Sequence, residues 1–288
     1  MPRSWPSPPA RFPTLHLIGD VHANVSGLPV YPHTERRNKI TADVARLPQP
    51  RARVQVGDMT NDGLVSQDVL ALDFLNSLSG KTYTALGNHD IMNDVRTVAA
   101  WEAAYGLVSK NYTADLGFVK LIFVGPDNMT GGLITLSAAT LTFLTNELAN
   151  AGKHCFVISH APPYNTVLGD VTKVYSSTEA AMRVYPDADI RAILNAQPNA
   201  KAWIAGHTHS PIDTPGLIKS ESVGTRSIIS INCSATFYTG RSYENFDPIT
   251  TLFLTHTGSN LEIRFRNHGA GVWDTVGGSR VVTMPIPA

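Results

Sequence analysis

Short apolar runs recur along the chain, and five of them end in side chains of metal-ligand type. These five read LHLI, RVQV, TYTAL, CFVIS and AWIA. Each is partly β-branched or aromatic and is bounded by Gly or polar residues, which predicts a buried strand. Other stretches follow a helical period. SQDVLALDFLNSL (66–78) begins at a Ser able to cap it, and DVRTVAAWEAAYG (94–106) has Asn93 or Asp94 as its cap. SAATLTFLTNELANAG (137–152) ends at Gly152, and DIRAILNAQ (189–197) is stopped by Pro198. KITADVARL predicts a further short helix after a loop over 23–39, and GFVKLIFVG (117–125) alternates as a strand. SIISINCSATF, PITTLFLTHT and NLEIRFRNH then follow as strands with no helix between them, and GGSRVVTMPIPA closes the chain as an edge strand or a loose tail. Strands alternating with helices and followed by strands alone predict an α/β fold: two packed, mixed β-sheets flanked by helices.

The polar ends of the five runs carry the chemistry. In full they read LHLIGDVHAN (15–24), RVQVGDMTNDG (53–63), TALGNHD (84–90), FVISHAP (156–162) and AWIAGHTH (202–209). They supply Asp20, His22, Asp58, Asn88, His89, His160, His207 and His209. Asp20/His22 and His207/His209 are i,i+2 pairs, which diverge on a helix but share a face on extended backbone. Functional groups in α/β sheets gather beyond the carboxyl ends of strands, and each of these residues has that position. Oxygen and imidazole donors without thiolate suit Mn, Fe, Co, Ni or Zn. The set is too large for one tetrahedral ion. A pair of divalent ions sharing a carboxylate uses most of it, the arrangement known for in-line displacement at phosphorus.

The series Asp-x-His, Gly-Asp, Gly-Asn-His-Asp, His, Gly-His-x-His resembles the calcineurin-like metallophosphoesterase superfamily, most closely its class III cyclic-nucleotide phosphodiesterase branch. The resemblance covers residues 15–210 and implies a four-layer α/β/β/α sandwich. It implies that Asp20, His22 and His209 bind a first ion, that Asn88, His160 and His207 bind a second, and that Asp58 bridges both. By the same resemblance His89 faces the phosphoryl oxygens or leaving group, and Asp90 orients it by a hydrogen bond. The expected activity is phosphodiester hydrolysis, cyclic nucleotides included, by a metal-bridged hydroxide. The alternatives are a phosphomonoesterase or nucleotide pyrophosphatase of the same core, or a non-catalytic metal-binding scaffold. The second motif, GDMTNDG, lacks the Arg with which Ser/Thr protein phosphatases grip a phosphomonoester dianion, and this favours a diester. Asp62-Gly63 reads as a turn device.

Composition narrows the surroundings. Positive and negative side chains balance at 23 each, with no basic stripe, so nothing points to nucleic acid or an anionic membrane. The expected partner is a small phosphoester or nucleotide, bound by a monomer or homodimer. Cys155 and Cys233 sit in apolar runs and read as buried free thiols. Residues 1–13 are Pro-rich without the apolar segment of a signal peptide and read as a flexible leader; residues 14–288 read as one domain. A cytoplasmic location follows by default. Asn24 is placed to bond substrate or to cap the next segment. The loops at 24–38, 126–136 and 161–188 reach the strand ends and carry the candidates for substrate choice. Tyr164 or Tyr175 would stack on a base and Arg36 or Arg37 would meet phosphate, against ordinary packing and surface charge. His16, Trp101 and Trp203 read as core.

Overall fold

The computed structural model describes residues 14–24, 33–129, 133–167, 175–212, 214, 216–223, 226–233, 235–236, 249–256, 260–273 and 282–285. The Pro-rich leader, Tyr31, and parts of the loops named above lie outside the described residues. In chain order the elements begin β1 (Leu15–Ile18), α1 (His33–Val44), β2 (Ala52–Gln55), α2 (Val65–Ser77) and β3 (Thr82–Thr84). They continue through α3 (Val98–Ala104), β4 (Tyr112–Asp115), β5 (Lys120–Phe123), β6 (Ile134–Thr135), α4 (Ala138–Ala149) and β7 (Cys155–Ile158). Then come β8 (Val184–Tyr185), α5 (Asp187–Ala196), β9 (Ala200–Ala205), β10 (Ile218–Val223) and β11 (Arg226–Asn232). The last are β12 (Thr250–His256), β13 (Asn260–Asn267), β14 (Val272–Trp273) and β15 (Val282–Pro285).

Two mixed sheets form the centre. One has the order β14-β13-β12-β1-β2-β3, with β15 also paired to β13; the other has the order β10-β11-β9-β7-β5-β4. Alternation within the strands separates the layers. Leu15, Leu17 and Val54 of the first sheet pack with Leu121, Phe123, Phe156, Ile158, Ile204 and Ile231 of the second in one cluster between the sheets. Ile18 and Phe253 face the other way, onto Ile40 of α1 and Ala71, Phe74 and Leu75 of α2. Ile122, Val157 and Trp203 likewise meet Leu144 and Leu148 of α4 and Ile190 and Leu194 of α5. The result is the expected pair of sheets with helices on both outer faces.

Several details differ from the local reading. Helix α1 begins at His33, inside the stretch read as loop. Ser66 does not cap α2, whose N-cap is Leu64 without a side-chain bond. The cap of α3 is Thr97, whose hydroxyl accepts from Ala100 N; the Asn93–Asp94 region belongs to a 3₁₀ turn, His89–Asp94. Ser137 caps α4 by accepting from Thr140 N. The three late strands do not form one meander. β11 runs parallel to β9 in the second sheet, whereas β12 crosses to pair antiparallel with β1 in the first. His16 is buried, stacked on Phe253 at 4.2 Å between ring centroids and bonded to Thr251 Oγ1 at 2.8 Å. Trp101 and Trp203 are buried, and both cysteines are buried free thiols. Among the described residues no helix is long and apolar enough to cross a membrane.

Candidate metal centre

Parallel pairing brings the motifs together. Strands β1, β2 and β3 are neighbours in the first sheet, and β7 and β9 are neighbours in the second. All five run out at one edge of the sandwich. Beyond that edge the motif loops are tied to each other through backbone. Val21 N and His22 N both donate to Asp58 O at 2.9 Å, and Ala23 N donates to Met59 O at 2.8 Å. Gly206 N donates to His160 O at 2.8 Å, and His207 N donates to Asp20 Oδ1 at 2.9 Å. The last motif therefore rests on the first, although 187 residues separate their partners.

Two ligand groups converge there. Asp20, His22, Asp58 and His209 place one ligand atom each within 4.8 Å of one another, and so do Asp58, His160 and His207. Asp58 belongs to both. Its Oδ1 accepts from His89 N at 2.8 Å, while its buried Oδ2 accepts no hydrogen bond. That oxygen instead faces Nε2 of His22 at 3.4 Å and Nε2 of His160 at 3.2 Å. Asn88 Oδ1 lies 3.0 Å from His160 Nε2, which places Asn88 in the second group.

The outer ring nitrogens of His160 and His207 are engaged, so their inner ones are turned to the centre. His160 Nδ1 donates to Val56 O at 2.9 Å, leaving Nε2 to face His207 Nδ1 at 3.1 Å. His207 Nε2 donates to Ala181 O at 2.8 Å, leaving Nδ1 inward. His22 Nε2 meets His209 Nε2 at 3.0 Å. Such outer bonds fix tautomer and ring direction in metal-binding histidines. The donor set fits two divalent cations: nitrogen lone pairs and a bare carboxylate oxygen converge in a buried space.

Electrostatics agree. Burial works against charge on Asp58, yet the surrounding imidazoles hold it well below the usual carboxylate range; burial likewise opposes Asp20, and His209 lowers it. Burial pulls His160 down, but the Asp58 and Asp20 carboxylates and the Val56 carbonyl hold it up to about 9. Burial, with His160 alongside, pushes His207 down to about 4, and burial takes His22 well below its ordinary value. The cluster thus favours positive charge at the junction of its two carboxylates.

Backbone conformation marks the same place. Five non-glycine described residues have positive φ, and four of them are His22 (47°), Asp58 (54°), His207 (70°) and His209 (46°). Left-handed backbone at such residues costs on the order of 1–3 kcal/mol each and persists where surrounding bonds over-determine it. Those bonds come partly from residues with no motif of their own. Asn232 Nδ2 donates to Gly206 O at 2.6 Å while its Oδ1 accepts from Thr208 Oγ1 at 3.0 Å. Thr236 donates from N to Asp20 O at 3.0 Å and from Oγ1 to Gly19 O at 3.1 Å. No local sequence signal distinguishes Asn232, Thr236 or Ala181.

One expected role is corrected. Asp90 does not orient the His89 ring. Its Oδ1 accepts from Thr60 N and Thr60 Oγ1, at 3.0 and 3.1 Å, and its Oδ2 accepts from Asp58 N and Gly87 N, at 3.1 and 2.9 Å. Four donors saturate the carboxylate and aim it at backbone. His89 Nδ1 donates instead to Asn61 O at 2.7 Å, and its ring meets His22 edge-on with centroids 4.5 Å apart. Burial and the Asp58 charge push Asp90 up to about 6, against the pull of the Thr60 and Gly87 amides. Asp62 and Gly63 form the expected turn, with Asp62 bonded to Gln67 through N (2.8 Å) and Oδ2 (2.7 Å). Asn24 is half-buried beside the first motif. Tyr164 lies beyond the fourth motif under the Arg183 guanidinium, 4.4 Å from its ring centroid. Arg37 pairs with Asp73 at 2.6 Å and is engaged on the helical face.

The family profile for calcineurin-like phosphoesterases matches residues 13–211, which contain all five motifs. The chain belongs to that family. Two of the solved structures that share its fold illustrate the likeness. One is a dimetal phosphatase from Danio rerio, with a TM-score of 0.61 and 14% sequence identity, covering 96% of this chain and 99% of that one. The other is the purple acid phosphatase PPD1 from yellow lupin (Lupinus luteus) seeds, with a TM-score of 0.56 and 15% identity, covering 90% of this chain and 52% of that one. At these identities the likeness is one of fold. Among curated proteins none matches. Calcineurin-like phosphoesterases use two-metal centres, and the two converging groups here are of that kind.

Proposed function

We propose that this chain is a two-metal phosphoesterase that hydrolyses phosphodiesters of small molecules. The observation that carries the reading is Asp58: one buried carboxylate shared by two ligand groups, with His89 anchored beside it. In this reading Asp20, His22 and His209 hold one cation, Asn88, His160 and His207 hold the other, and Asp58 serves both. Bound divalent cations would draw in phosphate oxygens and lower the pKa of water at the site.

The chain's own residues do the rest. Asp20 and Asp58 leave a two-cation site with surplus positive charge, which suits an anionic ester. His89 is half-buried at the rim, and with Nδ1–H given to Asn61 O, its Nε2 is the nitrogen that serves substrate. There it would hand a proton to the departing alkoxide. The GDMTNDG segment of the second motif contains no Arg, which favours a diester over a monoester dianion. The test is hydrolysis of bis-p-nitrophenyl phosphate against p-nitrophenyl phosphate with Mn²⁺, with Asp58→Ala as control. Metal-dependent preference for the diester, lost in the variant, is expected. Preference for the monoester would make the protein a phosphatase, and no turnover of either would overturn the reading.

A further inference from the structure

Arg183 lies two residues beyond Ala181, which touches the second ligand group, and among the described residues no carboxylate pairs with its charge. The chain reaches it from Ala181, whose carbonyl accepts from His207 Nε2 at 2.8 Å. Ala181 and Met182 lie in a 3₁₀ turn, Ala180–Met182, and residue 183 leaves it with extended backbone, φ −141° and ψ 162°. The segment is held rigidly. Val184 N donates to Pro162 O at 3.0 Å, and β8 pairs with β6.

The side chain is held as firmly. The Arg183 guanidinium lies 4.4 Å from the Tyr164 ring centroid and 4.8 Å from that of Tyr185. Its Nε donates to the Tyr185 hydroxyl at 2.9 Å, and Nη1 makes a long contact of 3.5 Å to Thr178 O. Tyr164 is itself fixed: its N donates to Asp187 Oδ1 at 3.2 Å and its carbonyl accepts from Arg191. Neighbouring Arg191 has a carboxylate, Asp187, at 3.3 Å. Among the described residues Arg183 has none. Two phenol rings hold the guanidinium, and its remaining edge donors are the part that recognises an oxyanion in fork geometry.

We propose that Arg183 is a specificity-determining residue that binds a second phosphate next to the scissile one, so that the preferred substrates are pyrophosphate-linked diesters of nucleotides. This rests on the phosphoesterase reading and sharpens it. Tyr164 and Tyr185 are positioning residues for the guanidinium. A simple diester offers this arm nothing to bind, whereas a pyrophosphate diester adds one negative charge on the side of His207.

The experiment compares wild type, Arg183→Ala and Arg183→Lys with Mn²⁺ on diadenosine 5′,5′-pyrophosphate and bis-p-nitrophenyl phosphate. Calorimetric binding of α,β-methylene adenosine diphosphate and of AMP provides a readout independent of turnover. Arg183→Ala is expected to raise KM for the pyrophosphate diester at least tenfold and leave kcat/KM on the simple diester within twofold. Binding of the diphosphate analogue should weaken by a similar factor and AMP binding should hold, with Arg183→Lys recovering part of both. Equal losses on both substrates, or none on either, would overturn the proposal while leaving the phosphoesterase reading intact. So would a wild type that cleaves the simple diester and not the pyrophosphate. If wild type cleaves neither, the phosphoesterase reading fails, and the two binding ratios still decide whether Arg183 selects a second phosphate.

Discussion

Asp58 and Asp90 are joined through backbone, with Asp58 N–H donating to Asp90 Oδ2 at 3.1 Å. The carboxylate at 90 thereby holds the shared ligand at 58 in its left-handed conformation, and it also gathers Thr60 and Gly87. Asp90→Asn keeps the shape but turns an NH₂ group towards donors. A hydrogen bond to a charged group contributes about 1.5–3 kcal/mol, and more than one would go. Urea unfolding of metal-free protein should show a loss of at least about 3 kcal/mol, with a matching fall in metal content after dialysis. Unchanged stability would mean that Asp90 does not support the loop.

His89 is expected to separate chemistry from metal binding. Its ring bonds to Asn61 O, and its backbone N bonds to Asp58 Oδ1, a contact that alanine keeps. His89→Ala should lower kcat on bis-p-nitrophenyl phosphate about 100-fold or more, the usual worth of a positioned acid, while bound metal per chain stays the same. Loss of metal instead would make His89 a ligand or a structural residue.

How much of this was legible in the sequence depends on the range of the signal. Asp20, His22, Asp58, His160, His207 and His209 each end an apolar run, and strands β1, β2, β7 and β9 deliver them to one edge as the local pattern predicts. Pairing across the chain is not written in local periodicity. Nothing in PITTLFLTHT says that it lies beside LHLI rather than beside SIISIN, and no local pattern announces strand β10. The role of Asp90 escapes the sequence for a related reason: the resemblance implies a bond to neighbouring His89, but its oxygens point at amides about 30 residues earlier. Ala181 and Asn232 act through contacts 26 residues away, which no motif marks.

Gly206 shows why the motifs carry glycine before the ligand. A Cβ there would lie 2.5 Å from Asp20 Oδ2 and 2.8 Å from Val56 Cγ2, and one at Gly87 would lie 2.1 Å from Asp58 N. Asp20 must receive His207 N–H and reach its ligand position at once, so it cannot retreat. Gly206→Ala should fold, with the destabilisation of about 1–3 kcal/mol that overpacking brings. Its metal affinity should fall roughly 10–100-fold, as for loss of an outer support, read by competition with a chelating dye. Affinity equal to wild type would show that the Asp20 position is not constrained by this contact.

Acid sensitivity should arise far from the metal groups, at Asp43. Its Oδ2 accepts from Arg266 Nε and His268 Nδ1, both at 2.8 Å, and its Oδ1 accepts from Arg266 Nη2 at 2.6 Å. His268 Nε2 in turn meets Thr251 Oγ1 at 2.6 Å, so α1 is clamped to the far side of the first sheet. Burial opposes the Asp43 charge, yet the Arg266 and His268 bonds hold its carboxyl well below the ordinary range; burial holds His268 below its ordinary value. Both groups have depressed pKa values in the folded state. The stability from Asp43 is therefore complete above about pH 4 and is lost as pH falls through its folded value; that from His268 begins to fall below about pH 6.5. Urea midpoints taken at pH 4, 3 and 2 should decline for wild type, and decline less steeply for Asp43→Asn from a lower starting point. Parallel declines in the two proteins would place the acid-sensitive groups elsewhere.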